Sequence, residues 1–194
     1  MSQLHAFVSE YFARDQPWRY LFQTTDVIMG ASLCLAGLAT LAWVGRRPLG
    51  RQGWSGIGFV AGGLFSVLDA LVTMDCSPTR STACLAAEEA GHVSPSHLVH
   101  VGTSTIVVVG FTLPILLLNS TMTRFRTFGL IVAWAWIVFT LLNGIGAMDW
   151  FDGTPMDYTG IWQRFSLSLG TLWWLTLAAD DIITSRAQRR PVTC

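Results

Sequence analysis

The chain contains no lysine, and charged residues of any kind make up only 12% of its 194 positions. A soluble domain usually carries about 25% charged residues, so about half of the usual solvating charge is missing. The apolar composition excludes a disordered chain, and the formal net charge of zero excludes a nucleic-acid-binding protein held by a basic patch. Signatures of phosphate-binding loops, nucleophile elbows and zinc-protease helices are also absent.

Apolar residues make up 52% of the sequence, and they are concentrated in blocks about as long as a bilayer is thick. The blocks are apolar throughout rather than alternating, which favours helices over the strands of a membrane barrel. We therefore predict an all-α integral membrane bundle over residues 21–183, preceded by an exterior segment, 1–20, and followed by a cytoplasmic tail, 184–194. Its five transmembrane helices are predicted at residues 21–44, 56–74, 97–118, 128–148 and 160–183.

The distribution of arginine predicts the orientation of these helices. Eight arginines fall on one side of the predicted membrane, and the positive-inside rule assigns that side to the cytoplasm. The N-terminus is then outside and the C-terminus inside. Asp180 and Asp181 lie at the inner edge of the last span, where we expect them to be hydrated. The eight arginines are Arg46, Arg47, Arg51, Arg124, Arg126, Arg186, Arg189 and Arg190.

The predicted exterior loop between the second and third helices contains Cys76 and Cys84. Because an exterior compartment permits disulfide formation, we expect these cysteines to be bonded to each other. The alternative is two free thiols. A Cys-x-x-Cys spacing is absent, which argues against a zinc knuckle.

Glycines and tryptophans inside the predicted spans indicate how the helices pack. Small residues let helices approach closely in a membrane, and such residues recur in the second span. The deep tryptophans lie too far from the interface for an aromatic belt, and we expect them to face lipid rather than a partner helix or a pigment. The glycines are Gly56, Gly58, Gly62 and Gly63, and the tryptophans are Trp134, Trp136, Trp173 and Trp174.

Polar side chains inside the spans gather near the exterior end of the bundle. Laying the helices in their predicted directions puts these residues within roughly 10 Å of the outer boundary. Placing an ionisable group in a spanning helix costs about 3 kcal/mol or more unless the group is paired or hydrated. The cluster therefore calls for an explanation. We call it the exterior polar cluster, and its members are Asp26, Asp69, His97, His100, Asn143, Gln163 and Arg164.

Three interpretations of the exterior polar cluster are open. The first is structural, with Arg164 paired to Asp26 or Asp69 and the cluster joining the helices. The second is a pocket for a ligand or lipid headgroup, in which Arg164 faces an anionic group. The third is a metal or proton-transfer site, because His97 and His100 share a helix face and, with Asp69, form a set that can bind zinc.

Short motifs occur in an order that resembles a known family. They are Val-Ser-Glu-Tyr from Val8, an Asp-Cys exterior loop, Ser-His-Leu-Val-His from Ser96, and Gly-Ile-Trp-Gln-Arg-Phe from Gly160. The set resembles the bacterial membrane protein family known as domain of unknown function 998, over most of the chain. The resemblance implies the bacterial plasma membrane, an exterior N-terminus and motif positions at His97, His100, Gln163 and Arg164. Members typically have six spans, so this chain resembles one that lacks the first helix. The family brings no established activity.

These observations favour a non-catalytic role. We expect an accessory subunit of a larger membrane assembly, whose exterior polar cluster fixes the fold or docks a partner or lipid. Its partners would be membrane lipids and other membrane protein subunits. The alternative is a metal-dependent hydrolase acting on a lipid or amide at the outer leaflet, with His97, His100 and Asp69 as zinc ligands and Arg164 as a headgroup clamp. A transporter has little support, because the sequence contains no repeat.

Overall fold

The computed structural model describes residues 4–147 and 158–188, and within these ranges every regular element is helical. In this part of the chain, two short 3-10 turns, Val8–Phe12 and Asn119–Thr121, accompany six α-helices. The helices are α1 (Arg19–Val44), α2 (Arg51–Leu71), α3 (Thr82–Glu89), α4 (Pro95–Leu118), α5 (Arg126–Ala147) and α6 (Thr159–Gln188).

Four of the described segments are long and apolar enough to cross a membrane, which confirms the prediction of a helical multi-pass membrane protein. Helix α6, which contains the fifth predicted span, is outside this set. Its 30 residues include Arg164, Asp180 and Asp181, which lower its mean hydropathy. The four candidate spans are Arg19–Val44, Arg51–Leu71, Pro95–Thr121 and Arg126–Ile145.

The observed helix boundaries differ from the predicted ones where polar residues take part in a helix. Helix α2 begins at Arg51 rather than at residue 56, because polar residues such as Arg51, Gln52 and Ser55 form its first turns. Helix α3 lies within the predicted exterior loop, and Ser81 caps it by accepting a hydrogen bond from the Cys84 backbone N–H at 3.2 Å. Position 148, where the fourth span was predicted to end, and tail residues 189–194 lie outside the described residues.

Helix α2 packs between α1 and α4, and glycines bring the backbones of these three helices close together. A Cβ atom placed on Gly63 would lie 2.4 Å from the carbonyl oxygen of Gly30 on α1. A Cβ on Gly110 of α4 would lie 2.5 Å from the backbone nitrogen of Gly62. Any side chain would therefore force these helices apart, which confirms the prediction for the α2 glycines.

Helices α5 and α6 pack together as a second unit, and large side chains join it to α4. Trp173 and Trp136 are buried in this junction with Ile115, and the Trp173 indole N–H donates to the Asn119 side-chain oxygen at 3.3 Å. The expectation that the deep tryptophans face lipid is wrong for these two, because few other side chains are large enough to fill the junction. Trp134 is 59% exposed, as expected for a lipid-facing residue.

Asp180 ties α6 to the beginning of α5. Its carboxylate accepts hydrogen bonds from the backbone N–H groups of Thr123, Arg124 and Phe125 at 2.9, 2.7 and 2.9 Å. The side chain is buried, so the expectation of a hydrated Asp180 is wrong, whereas Asp181 is exposed. The reason is that the N–H groups ahead of a helix need acceptors, and a carboxylate from a neighbouring helix can supply them.

The close approach of α2 and α4 predicts a strong effect of a single methyl group. We expect Gly110→Ala to lower the free energy of unfolding by about 2 kcal/mol, because overpacking a tight contact forces the backbones to shift. Thermal unfolding in detergent measures the effect. The matched control is Gly102→Ala on the same helix, where a Cβ has no neighbour within 4 Å. Equal melting temperatures for the two variants would contradict the packing described.

Candidate functional site

The N-terminal segment, residues 4–18, folds across the end of the bundle that contains the exterior polar cluster. Its 3-10 turn places Phe12 edge-on to the His100 ring, with the ring centroids 5.6 Å apart. The Arg14 backbone N–H donates to the carbonyl oxygen of Met74 at 3.0 Å, which joins the segment to the loop that follows α2. The segment therefore covers the polar side chains rather than extending away from them.

Glu10 is fully buried beneath this segment, and sequence reasoning did not single it out. Its carboxylate accepts hydrogen bonds from the Phe7 backbone N–H at 3.2 Å, from the Thr79 hydroxyl at 2.6 Å and from the Ser77 hydroxyl. A buried carboxylate needs such donors, because removing it from water without partners is costly. Its place in the motif that begins at Val8 was the signal that could have found it.

The loop after α2 is held by a disulfide and by Asp75. Cys76 and Cys84 are bonded, with their Cα atoms 6.0 Å apart, which confirms the predicted pair. Asp75 accepts hydrogen bonds from the Ser94 backbone N–H at 2.6 Å and the Ser94 hydroxyl at 2.8 Å. The Arg14 guanidinium lies 3.1 Å from the same carboxylate. Desolvation raises the pKa of Asp75, but the hydrogen bonds from Ser94 and the charge of Arg14 outweigh it, so this pKa is lowered.

His97 is fully buried at the start of α4, and its proton position follows from its contacts. The Nδ1 atom lies 3.3 Å from the backbone nitrogen of Asp75, and a backbone N–H can only donate. Nδ1 therefore accepts, and the ring proton is on Nε2. The Nε2 atom lies 3.8 Å from the Glu88 carboxylate, and among the described residues it has no hydrogen-bond partner.

His100, one helical turn further along α4, has the opposite arrangement. Its Nδ1 atom lies 3.2 Å from the Asp69 carbonyl oxygen, 3.0 Å from the Val72 carbonyl oxygen and 3.2 Å from the Asp69 carboxylate. Because carbonyl oxygens only accept, Nδ1 carries a proton and donates. The Nε2 atom of His100 is buried without a hydrogen-bond partner in the described part of the chain.

Asp69 is the centre of the polar contacts between α2 and α4. Besides His100, its carboxylate accepts hydrogen bonds from the Thr103 hydroxyl and from the Ser104 hydroxyl, the latter at 3.0 and 3.1 Å to its two oxygens. Asp26 on α1 accepts a hydrogen bond from Ser66 at 3.2 Å and lies close enough to Asp69 to interact electrostatically. Three members of the exterior polar cluster, Asp26, Asp69 and His100, thus lie together between α1, α2 and α4.

Gln163 and Arg164, at the start of α6, contact the N-terminal segment. The Gln163 side-chain oxygen accepts a hydrogen bond from the Val8 backbone N–H. The Arg164 guanidinium donates to the carbonyl oxygens of Ala6 at 2.9 Å and Gly160 at 2.8 Å, and to the Tyr11 hydroxyl at 3.3 Å. The N-terminal segment therefore lies between α6 and the group around Asp69.

Asn143 is the member of the cluster that lies on α5. Its side-chain oxygen is buried on α5 and has no hydrogen-bond partner within residues 4–147 and 158–188. The Thr140 hydroxyl, one turn earlier on the same helix, is also buried and has no hydrogen-bond partner within those ranges. The contacts described here therefore do not bring Asn143 together with Asp69 or His100.

The arrangement around the histidines bears on metal binding. In the part of the chain that the structure describes, no group of three or more His, Cys, Asp or Glu side chains is placed to hold a metal ion. An imidazole that binds a metal through Nε2 normally carries its proton on Nδ1. In His97, Nδ1 accepts from Asp75, so metal binding there would first require this hydrogen bond to break.

Comparison with known protein families gives the same family as the order of the motifs in the sequence. A family model described as a protein of unknown function (DUF998) matches residues 1–180. The chain belongs to this family. The resemblance inferred from the motifs at Val8, Ser96 and Gly160 is thereby confirmed. No curated protein and no solved structure matches the chain. The description of this family names no activity.

The lowered pKa of Asp75 predicts how stability depends on pH. A carboxylate whose pKa is below its ordinary value of 3.8 stabilises the fold above that pH, and this contribution is lost as the pH falls through the folded-state pKa. Thermal unfolding in detergent between about pH 6 and pH 3 should therefore show a steeper loss for the wild type than for Asp75→Asn. Asp181→Asn, at an exposed aspartate on α6, is expected to follow the wild type. Parallel curves for Asp75→Asn and the wild type would contradict the assignment.

Proposed function

We propose that the chain is a non-catalytic accessory subunit of a larger membrane assembly in the bacterial plasma membrane. It would cross the membrane five times, with its N-terminus outside and its C-terminus in the cytoplasm. Its exterior end, built from the N-terminal segment and the exterior polar cluster, would dock a partner subunit or a lipid.

The length and contacts of α6 support the fifth span. At about 1.5 Å per residue its 30 residues are long enough to cross a bilayer. Asp180, near the end of α6, contacts the beginning of α5, and Arg51 contacts Ser120 after α4 at 2.8 Å. The arginine-rich connections therefore share one end of the bundle. The arginine bias at that end supports a cytoplasmic assignment.

Burial of the histidines is the observation that carries the non-catalytic proposal. The side chains of His97 and His100 are 0% and 3% exposed. The N-terminal segment lies against His100 through Phe12, with the buried Glu10 beside the loop after α2, whereas His97 contacts Asp75 of that loop and Glu88 of α3. A substrate would have to displace the N-terminal segment to reach His100, or the loop after α2 and α3 to reach His97, whereas a docking partner needs only the outer surface. This closed end favours a structural and docking role.

A metal-dependent hydrolase is the second candidate function. It is favoured by the two buried Nε2 atoms, of His97 and His100, that have no hydrogen-bond partner among the described residues. Asp69 would be the third zinc ligand, which requires its carboxylate to leave Nδ1 of His100, and Arg164 would hold the headgroup of a lipid or amide substrate. This function requires movement of the N-terminal segment and a change of the proton position in His97.

Purification from native membranes distinguishes the two functions in one preparation. We expect the tagged protein to retain at least one membrane protein in stoichiometric amount, detected by mass spectrometry, and to contain no stoichiometric zinc by elemental analysis. An unrelated multi-pass protein with the same tag is the control for adventitious capture. A protein that purifies alone would overturn the accessory role. Stoichiometric zinc that is lost in His100→Ala would instead support the hydrolase.

A further inference from the structure

A cleft at the arginine-rich end of the bundle is separate from the exterior polar cluster. It has a volume of about 300 Å³ and lies between the end of α1, the beginning of α2 and the 3-10 turn that follows α4. Its lining includes two arginines, a tryptophan and two polar side chains. These residues are Trp43, Arg47, Arg51, Gln52 and Thr121.

Arg47 and Arg51 give the cleft a positive charge. Within residues 4–147 and 158–188, no carboxylate forms an ion pair with Arg47 or Arg51. Arg51 donates to the Ser120 hydroxyl at 2.8 Å, which directs its guanidinium to the side of the cleft formed by the turn after α4. Asp180, a buried carboxylate that contacts the start of α5, is fully engaged with backbone N–H groups. The arginines therefore remain available to an anion.

The beginning of α2 adds backbone donors to the same cleft. Its N-cap residue, Gly50, has no side chain that can accept from the first turn, and the first helical hydrogen bond runs from Trp54 to Gly50. The N–H groups of Arg51, Gln52 and Gly53 therefore have no partner inside the helix. Guanidinium groups together with unpaired helix N–H groups are the donors that bind phosphate oxygens.

The surroundings of the cleft favour a phosphate attached to a lipid. Trp43 is 65% exposed, and Leu49 and Trp54, next to the cleft in sequence, are 49% and 50% exposed. Exposed tryptophans of this kind lie at the depth of the headgroups in a membrane, where their rings can contact the upper acyl chains. A water-soluble phosphate would gain nothing from these apolar side chains.

We propose that this cleft binds the phosphate of an anionic phospholipid, with Arg47 and Arg51 contacting the phosphate oxygens and Trp43 contacting the lipid chain. The site does not depend on the proposed accessory role. In the proposed orientation, this lipid belongs to the cytoplasmic leaflet.

Native mass spectrometry of the purified protein with phosphatidylglycerol or phosphatidylcholine tests the site. We expect the wild type to retain phosphatidylglycerol in preference to phosphatidylcholine. Arg47→Gln should lower the occupancy by phosphatidylglycerol about fivefold, the change expected for one arginine near an anionic headgroup. Because Arg51 also bonds to Ser120, Arg47 is the primary position for substitution.

The matched control is Arg46→Gln, which removes the same charge from the neighbouring exposed residue outside the cleft lining. It should retain phosphatidylglycerol at the wild-type level. An equal loss of phosphatidylglycerol occupancy in Arg46→Gln and Arg47→Gln would overturn the site in favour of diffuse electrostatic attraction. No loss in either variant would show that the cleft does not bind the lipid. Thermal protection by inorganic phosphate that equals protection by phosphatidylglycerol would overturn the lipid assignment.

Discussion

The contact between Asp69 on α2 and the polar face of α4 is the interaction on which the exterior end depends. A carboxylate within an apolar segment has no water to bind, so its donors must come from the protein. His100, Thr103 and Ser104 supply them across one helix interface. The side chains of Thr103 and Ser104 are short, and the glycines of α2 and α4, further along the same interface, help them to reach Asp69 because they let the backbones approach closely.

The same requirement explains the position of the N-terminal segment. Glu10, Gln163 and Arg164 each exchange hydrogen bonds with it or with the loop after α2, so the segment holds α6 to the group around Asp69. At the opposite end, Asp180 has a comparable role for α5 alone. One end of the bundle is therefore closed by acidic, basic and neutral groups bonded to each other, whereas at the other end no carboxylate among the described residues forms an ion pair with Arg47 or Arg51. This asymmetry connects the topology, the proposed docking end and the lipid cleft.

Features set by local composition could be predicted from the sequence, and features set by contacts between distant segments could not. The apolar runs predicted four helices that the structure supports as spans, and the glycines of α2 marked its close contacts. Cys76 and Cys84 were identified by their compartment and spacing. The burial of Asp180 and Trp173 depends on partners far away in the chain, so hydropathy alone misassigned them, and for the same reason it did not single out Glu10. Within the exterior polar cluster, the sequence could not predict which helices share a contact.

The proton positions of the two histidines test the described closure of the exterior end most directly. Nitrogen-15 NMR of the histidine-labelled protein, with His97→Asn and His100→Asn used for assignment, reports which ring nitrogen carries the proton. The account predicts a proton on Nε2 of His97, because Nδ1 accepts from the Asp75 backbone, and a proton on Nδ1 of His100, because carbonyl oxygens surround it. A proton on Nδ1 of His97, or an unprotonated Nδ1 in His100, would contradict it.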